Sequence, residues 1–363
     1  MTHPIVHVVG ARPNFIKAAP VLRALAQRGA DQALVHTGQH YDAAMSDVFF
    51  TELGLPAPDL NLGVGSGSQA GQTAALMVAL EDAFSRLAPA LVVAYGDVNS
   101  TLAAALVASK IGLPIAHVEA GLRSFDNSMP EEINRRVADL LSTLLFVTCP
   151  EGLPNLQAMG VDDDSVHFVG NPMIDTLFAN LGAIEAAGAA SPHRPDGEYA
   201  VATMHRPGNV DTPERATAVV AMLRDAAAVV PIVLPLHPRG RRSLEEAGLL
   251  TDDRLHVVEP LGYLEFLGLV SKAKLVITDS GGIQEETTAL GVPCLTVRPN
   301  TERPITISHG TNRLVEPHAV ATMAAEILTH GLAAPPEGPP LWDGHAGDRI
   351  AAVIEEWLGG RAT

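Results

Sequence analysis

The chain has few cysteines, few cations and no long apolar run. Cys149 and Cys294 lie far apart, in or beside apolar runs, which excludes a disulfide framework and reads as two buried thiols in a reducing cytoplasm. No stretch reaches the ~18 uninterrupted apolar residues that a membrane span requires; the best candidates are cut by Lys110, by Arg224-Asp225 or by proline. No basic region with a cleavage site follows Met1, so no secretory signal is expected. Lys and Arg number 24 against 41 Asp and Glu, and the net charge of -17 argues against nucleic acid, whose binding rests on cationic contacts to phosphate. A nucleotide ligand stays open, because it needs only a local cationic pocket. No Gly-x-Gly-x-x-Gly follows the strand pattern Ile5–Val9, so nothing marks a nicotinamide site.

What is present is a long, turn-rich globular chain: 363 residues, 47% hydrophobic, with 32 Gly and 27 Pro. That length suits two domains of roughly 150–200 residues each. Short apolar runs alternate with amphipathic segments, the pattern of βα units that build parallel sheets. Strands are expected at Ile5–Val9, Ala33–Thr37, Ala90–Tyr95, Pro114–Val118, Leu145–Cys149 and Val166–Val169, then at Tyr199–Met204, Ile232–Leu236, Leu255–Val258, Lys274–Thr278 and Cys294–Val297. Thr212-Pro213-Glu214 has the cap, the first-position proline and the acid of a helix start. Periodicity breaks at Leu181–Glu198, the expected linker between two Rossmann-like domains, residues 1–180 and 181–344. After the proline-rich segment Ala333–Leu341, a last helix within residues 345–363 is expected to cross back onto the first domain.

Charged residues cluster where strand patterns end. Thr278-Asp-Ser-Gly-Gly-Ile-Gln-Glu-Glu286 turns from a strand into a helix with two carboxylates expected in its first turn. Small residues there leave backbone N–H groups outward at the positive end of a helix dipole, which suits a phosphate or diphosphate; tight packing alone is the competing reason for the glycines. Gly10-Ala-Arg12-Pro-Asn-Phe-Ile-Lys17 offers two cations after the first strand, unless Pro13 merely opens a helix and Lys17 is solvated. Asp97, after Gly96, is either a helix cap or a site acid. His117-Val-Glu119-Ala-Gly-Leu-Arg123 places three ionisable groups at one sheet edge, which is costly unless they are paired or functional. In Pro130-Glu131-Glu132-Ile-Asn-Arg135-Arg136, the pairs Glu131–Arg135 and Glu132–Arg136 have i,i+4 spacing, and the stripe Ile133, Val137, Leu140, Leu144 is the expected buried face. His205-Arg206, His237-Pro-Arg239 and Arg303 add cations after strands of the second half, against the alternative that lone histidines are structural. In an acidic chain this clustering points to a positive cleft, with phosphate held mainly by the second half and acid/base groups supplied by the first.

Taken together, these motifs resemble the non-hydrolysing UDP-N-acetylglucosamine 2-epimerase family, almost from end to end. The carriers are Gly-x-Arg-Pro with Ile-Lys17, Thr37-Gly-Gln-His40, Gly96-Asp97, His117-Val-Glu-Ala-Gly-Leu-Arg123, Pro130-Glu-Glu-x-Asn-Arg135, Val169-Gly-Asn171, His205-Arg206, Asp279-Ser-Gly-Gly-x-Gln-Glu-Glu286, Thr301-Glu-Arg-Pro304 and Gly310-Thr-Asn312. The resemblance implies an α/β fold of two Rossmann-like domains facing across a cleft, of the glycosyltransferase-B kind, and a homodimer acting on a UDP-sugar without a cofactor or metal. It implies Asp97, Glu119 and Glu131 as the acid/base set, supported by Arg135 and Lys17. Ser280, Gly281 and Gly282 would meet the diphosphate, with Arg12 and His205 on phosphate; Glu286 would meet the ribose and Phe266 would lie near uracil. His237 and Arg303 complete the expected binding set.

Three departures stand out. Gly208 occupies a position where the family usually has glutamate; Ile305 follows Arg303-Pro304 where another glutamate is common; and Gln39-His40-Tyr41-Asp42 differs from the Gln-His-Arg-Glu of members activated by a second substrate molecule. Two alternatives follow within the family: a hydrolysing enzyme that releases UDP and free N-acetylmannosamine, or an epimerase of a modified sugar. A glycosyltransferase of the same fold would share the Ser-Gly-Gly turn but not the Glu119/Glu131 pair, and an idle nucleotide-sugar sensor would have lost the acids.

Overall fold

The computed structural model describes residues 3–38, 50–332, 335 and 337–361. Gln39-His40-Tyr41-Asp42 lies outside the described residues, as do parts of the segment Ala333–Leu341. The chain divides into two compact units, Met1–Ala179 with Pro340–Thr363, and Asn180–Pro339. Each is a parallel sheet with helices around it. Among the described residues no helix is long and apolar enough to cross a membrane.

The first sheet contains β1 (Ile5–Val9), β2 (Gln32–His36), β3 (Leu60–Asn61), β4 (Leu91–Tyr95), β5 (Ile115–Ala120), β6 (Leu144–Val147) and β7 (Val166–Phe168), in the order β3-β2-β1-β4-β5-β6-β7. The second contains β8 (Ala200–Thr203), β9 (Ile232–Pro235), β10 (Leu255–Val258), β11 (Leu275–Thr278), β12 (Cys294–Thr296) and β13 (Asn312–Leu314), in the order β10-β9-β8-β11-β12-β13. All pairings are parallel; Val6, for example, sits opposite Ala33 on one side and Val92 on the other. Central strands such as Ile5–Val9 and Leu91–Tyr95 are buried along their whole length, and helices on both faces explain why they read as continuous apolar runs. In each sheet the strand order reverses once, between β1 and β4 and between β8 and β11. Ligands of such sheets bind beyond the carboxyl ends of the strands at that point. Topology alone therefore directs attention to Gly10–Arg12 and Gly96–Asp97 in one unit, and to His205–Arg206 and Asp279–Gly282 in the other.

Packing confirms some local expectations and reverses others. Thr212 caps the helix Pro213–Ala227, its side chain accepting from Arg215 N. The helix Asn99–Lys110 buries Ala103, Ala104, Ala105 and Ala108, small residues that let it lie close beneath its neighbours Gln69–Leu87 and Pro130–Leu141. The stretch Leu181–Glu198, expected as an irregular linker, opens with the helix Leu181–Ala190, which packs on Tyr263–Val270. Gly188 and Gly268 meet there backbone to backbone: a Cβ on either would fall 2.4–2.6 Å from the other. The helix Pro130–Leu141 turns the opposite face inward from the one expected. Glu132, Asn134, Arg135, Ala138 and Asp139 are buried, whereas Ile133 and Leu140 are 50% and 63% exposed.

The chain ends on the first unit. Its closing helix, Ala346–Arg361, packs against Arg12–Gln27 at Pro20, a proline inside that helix. Pro20 has no N–H to give Ile16, and the Thr176 hydroxyl donates to the Ile16 carbonyl instead, at 2.6 Å. Gly347 sits so close that a Cβ would be 2.8 Å from the Pro20 carbonyl, and its N–H donates to the Asp175 carboxylate at 2.7 Å. Trp342 Nε1 donates to the Thr148 carbonyl at 2.9 Å, fixing the approach.

Candidate active site

At the first sheet's carboxyl edge, β4 ends in Tyr95 and turns at Gly96, whose φ of 63° is left-handed. Glycine is required there: a Cβ would lie 3.1 Å from both Glu119 Oε2 and Lys17 Nζ. Asn14 Nδ2 and Thr101 Oγ1 both donate to the Tyr95 carbonyl at 2.8 Å, and Asn134 Nδ2 donates to the Asp97 carbonyl at 2.9 Å. Asp97 is not the helix cap, a position Val98 takes; its carboxylate pairs with Arg135 Nη2. Arg135 Nη1 donates to Glu132 Oε2 at 2.8 Å, and the same oxygen accepts from Ser124 N and Oγ. Neither expected i,i+4 pair forms. Arg135 takes Asp97 and Glu132, while Arg136 reaches out to Asn127.

Glu119 projects from the end of β5 with φ of 79°, at a register shift between Val118 and Ala120. A left-handed conformation is costly for a residue with a side chain, and such outliers gather at functional sites. The Glu119 carboxylate pairs with Lys17, and both groups are buried. Lys17 is therefore not solvated. Arg12 heads the same helix, with Asn14 Oδ1 accepting from Gly10 N and Ala11 N in place of a capping side chain. Glu131, in the first turn of its helix, is half-buried and has no ion pair among the described residues.

The second edge is built from backbone. Ser280 precedes the helix Gly281–Leu290 without a side-chain cap, which leaves the first-turn N–H groups available for an anion. The helix begins at Gly281, so Glu285 and Glu286 fall in its second turn rather than its first. Asp279 is fully buried and accepts from His205 N, Arg206 N and Asn209 Nδ2, while His205 Nδ1 lies 3.1 Å from its carboxylate. Burial pushes this carboxyl up, but the His205, Asn209 and Arg206 contacts outweigh it and hold it below the usual range. His205 keeps a ring edge open, its side chain being 35% exposed, and lies 5.3 Å from the His237 ring. His237 also caps its own helix, accepting from Arg239 N. Arg239 turns away to exposed Asp211.

Arg303, expected to meet ligand directly, is buried and paired inside the unit with Glu285 and Glu302. Gly281 makes room for it: a Cβ there would come 2.5 Å from Arg303 Nη1. Glu302 also receives Arg298 at 2.7 Å and Arg206 at 3.5 Å. Its burial is outweighed by Arg303 and Arg298, which hold it well below the ordinary glutamate value. Burial lifts Glu286 to about 8, and neighbouring Glu285 adds to the rise; the Tyr263 hydroxyl faces it and partly offsets it. Phe266, one turn beyond Tyr263, is half-buried. Among the described residues no group of three or more His, Cys, Asp or Glu side chains is arranged to hold a metal ion.

Sequence reading missed Asp139, Arg298 and Glu302, all buried. The signal for Asp139 was its spacing: Glu132, Arg135 and Asp139 follow one another at three and four residues, a charged stripe that the apolar stripe beside it obscured. Arg298 was within reach of the same count of cations at strand ends.

Two Rossmann-like units, one presenting clamped acids and the other an uncapped helix start beside histidine and arginine, define an enzyme class that works on a phosphate-bearing substrate. The family model described as UDP-N-acetylglucosamine 2-epimerase matches residues 23–355, and the chain belongs to that family. A UDP-N-acetylglucosamine 2-epimerase of Methanocaldococcus jannaschii is 38% identical over 96% of this chain and 97% of its own. The crystal structure of the Methanocaldococcus jannaschii UDP-GlcNAc 2-epimerase in complex with UDP-GlcNAc and UDP superposes with a TM-score of 0.91, covering 97% of this chain and 99% of that one at 38% identity. A UDP-2,3-diacetamido-2,3-dideoxy-D-glucuronate 2-epimerase of Pseudomonas aeruginosa is 41% identical over 96% of this chain and 99% of its own.

Proposed function

We propose that this enzyme interconverts UDP-N-acetylglucosamine and UDP-N-acetylmannosamine by eliminating UDP across C1–C2 and re-adding it. The observation that carries this reading is the division between the two sheet edges. One offers backbone donors for a diphosphate at Gly281 and Gly282, behind Ser280, and the other offers carboxylates held by Arg135 and Lys17. The proton on C2 is weakly acidic, so direct removal is slow. In the elimination a carboxylate takes that proton, the C1–O bond breaks, and its electrons leave on the UDP oxygen, giving a 2-acetamidoglucal. Protonation of C2 on the other face and return of the UDP oxygen to C1 complete the epimerisation.

Each residue has a part in this scheme. The Ser280 hydroxyl and the N–H groups of Gly281 and Gly282, with His205 and Arg12, take the diphosphate and steady its charge as it departs. Glu286 takes the ribose hydroxyls and Phe266 lies along uracil. Arg135 and Lys17 clamp Asp97 and Glu119 as fixed carboxylates suited to positive charge growing at C1. Glu131, without such a clamp among the described residues, is the acid freest to carry a proton. Buried Arg303 supports this arrangement from behind the helix start rather than touching ligand. The enzyme works as a homodimer, for which the exposed Ile133 and Leu140 offer a contact face; sedimentation at the monomer mass would remove that part.

Proton NMR of the reaction with UDP-N-acetylglucosamine in D2O tests the proposal in one spectrum. UDP-N-acetylmannosamine carrying deuterium at C2 is expected. Free N-acetylmannosamine with UDP would replace the reading by hydrolysis, and unchanged substrate without exchange would reject it. A second reading, a modified UDP-N-acetylhexosamine as the preferred substrate, is favoured by the Pseudomonas relative and by Gly208, where an added Cβ would meet nothing within 4 Å. Comparing kcat/KM for the plain and the diacetamido-uronate sugars separates the two.

A further inference from the structure

We infer that His117 and Asp139 are a positioning pair that sets the Asp97 turn and the Glu119 bulge in one fixed arrangement. Both side chains are fully buried and neither is open to a ligand, so their effect on the reaction passes through other residues. His117 Nε2 faces the Gly96 carbonyl at 2.8 Å, and Nδ1 faces Asp139 Oδ1 at 2.7 Å. A carbonyl only accepts, so Nε2 donates. Asp139 also takes the Gly121 N–H at 3.2 Å and the Arg123 guanidinium at 2.7 Å, so its carboxylate ties Nδ1 to both. With both nitrogens engaged, the ring cannot flip without breaking a buried hydrogen bond.

Asp139 thus stands at a fork. One arm runs through His117 to the carbonyl of Gly96, the residue before Asp97. The other runs to the N–H of Gly121, two residues past Glu119. Along those arms lie three left-handed backbone sites, Gly96 at 63°, Glu119 at 79° and Gly121 at 82°. Glycine adopts this conformation freely, but for Glu119 it persists only where the surroundings over-determine it. Removing either arm lets one acid drift relative to the other, and misplacement by about an ångström costs on the order of 10²-fold in rate.

The inference rests on the reading of Asp97 and Glu119 as acids of the reaction, so Asp97→Asn is measured alongside. The variants are His117→Gln, whose amide nitrogen reproduces the donor to Gly96, His117→Asn, which keeps only the bond to Asp139, and Asp139→Asn. For each, kcat and KM with UDP-N-acetylglucosamine, UDP affinity and thermal midpoint are read. His117→Asn and Asp139→Asn should lose about 10–100-fold in kcat with KM and UDP affinity changed less than about threefold, while His117→Gln recovers most of the rate. Equal kcat in the Gln and Asn variants, tracking only their thermal midpoints, means packing and overturns the inference. So does wild-type kcat in Asp139→Asn, which decides the matter should His117→Asn not fold. Normal turnover in Asp97→Asn, by contrast, removes the catalytic reading itself.

Discussion

Each half of the molecule has a buried aspartate holding a histidine through Nδ1 and backbone N–H groups, yet the two devices serve different ends. Asp139 holds His117, and His117 closes its other nitrogen on the Gly96 carbonyl. Asp279 holds His205, and His205 leaves a ring edge exposed next to an uncapped helix start. The same pair of residue types is turned inward at one edge and outward at the other. The difference lies in what occupies the second nitrogen. Where a protein carbonyl takes it, the histidine becomes part of the frame; where none of the described residues does, the ring edge stays exposed.

The sharpest way to break this comparison is to neutralise the proposed acids, two of which, Asp97 and Glu119, the inward frame sets. Asp97→Asn, Glu119→Gln and Glu131→Gln should each lose about 10²-fold or more in kcat, with UDP affinity nearly unchanged because none of the three is proposed to touch the diphosphate. Near-normal turnover in any of them strikes that residue from the set. Next comes Asp279→Asn, which weakens the anchor of His205, Arg206 and Asn209 together. A loss of about 2 kcal/mol in stability and roughly tenfold in UDP affinity is expected; calorimetry showing intact UDP affinity would mean that the turn holds itself. The smallest effect concerns Glu286, lifted to about 8. A carboxyl raised in the fold contributes its full stability below the unfolded value near 4.5 and loses it as pH rises through about 8. Glu286→Gln should therefore leave the ligand-free protein unchanged at pH 4–5 and stabilise it at pH 9 by on the order of 1–2 kcal/mol. A parallel pH profile for variant and wild type contradicts this.

The parallel strands were legible because both faces are covered, so Ile5–Val9 and Leu275–Thr278 are buried throughout and, His7 and Thr278 apart, apolar. Leu60–Asn61 and Asn312–Leu314 were not, since two or three residues carry no period. The helix Leu181–Ala190 escaped because it packs through Gly188 backbone to backbone, leaving no side-chain stripe to read. In the helix Pro130–Leu141 the usual rule failed: charges went inside and Ile133 and Leu140 stayed out, so apolarity marked the wrong face. Strand ends told where ionisable residues gather. They did not tell which would pair. Lys17 and Glu119 are 102 residues apart, and only the order of β1, β4 and β5 in the sheet brings them together.

The seat of Gly347 on Pro20 has a consequence for how the protein is made. The second unit is one unbroken stretch of chain, Asn180–Pro339, and can fold as soon as it leaves the ribosome. The first cannot. Its helix Arg12–Gln27 is synthesised before the second unit, yet the segment that covers Pro20 and bonds Asp175 follows that unit in the chain. The half of the enzyme that is begun first is expected to be finished last, and a ribosome stalled before residue 346 should carry a folded second unit beside a first unit still open to proteases.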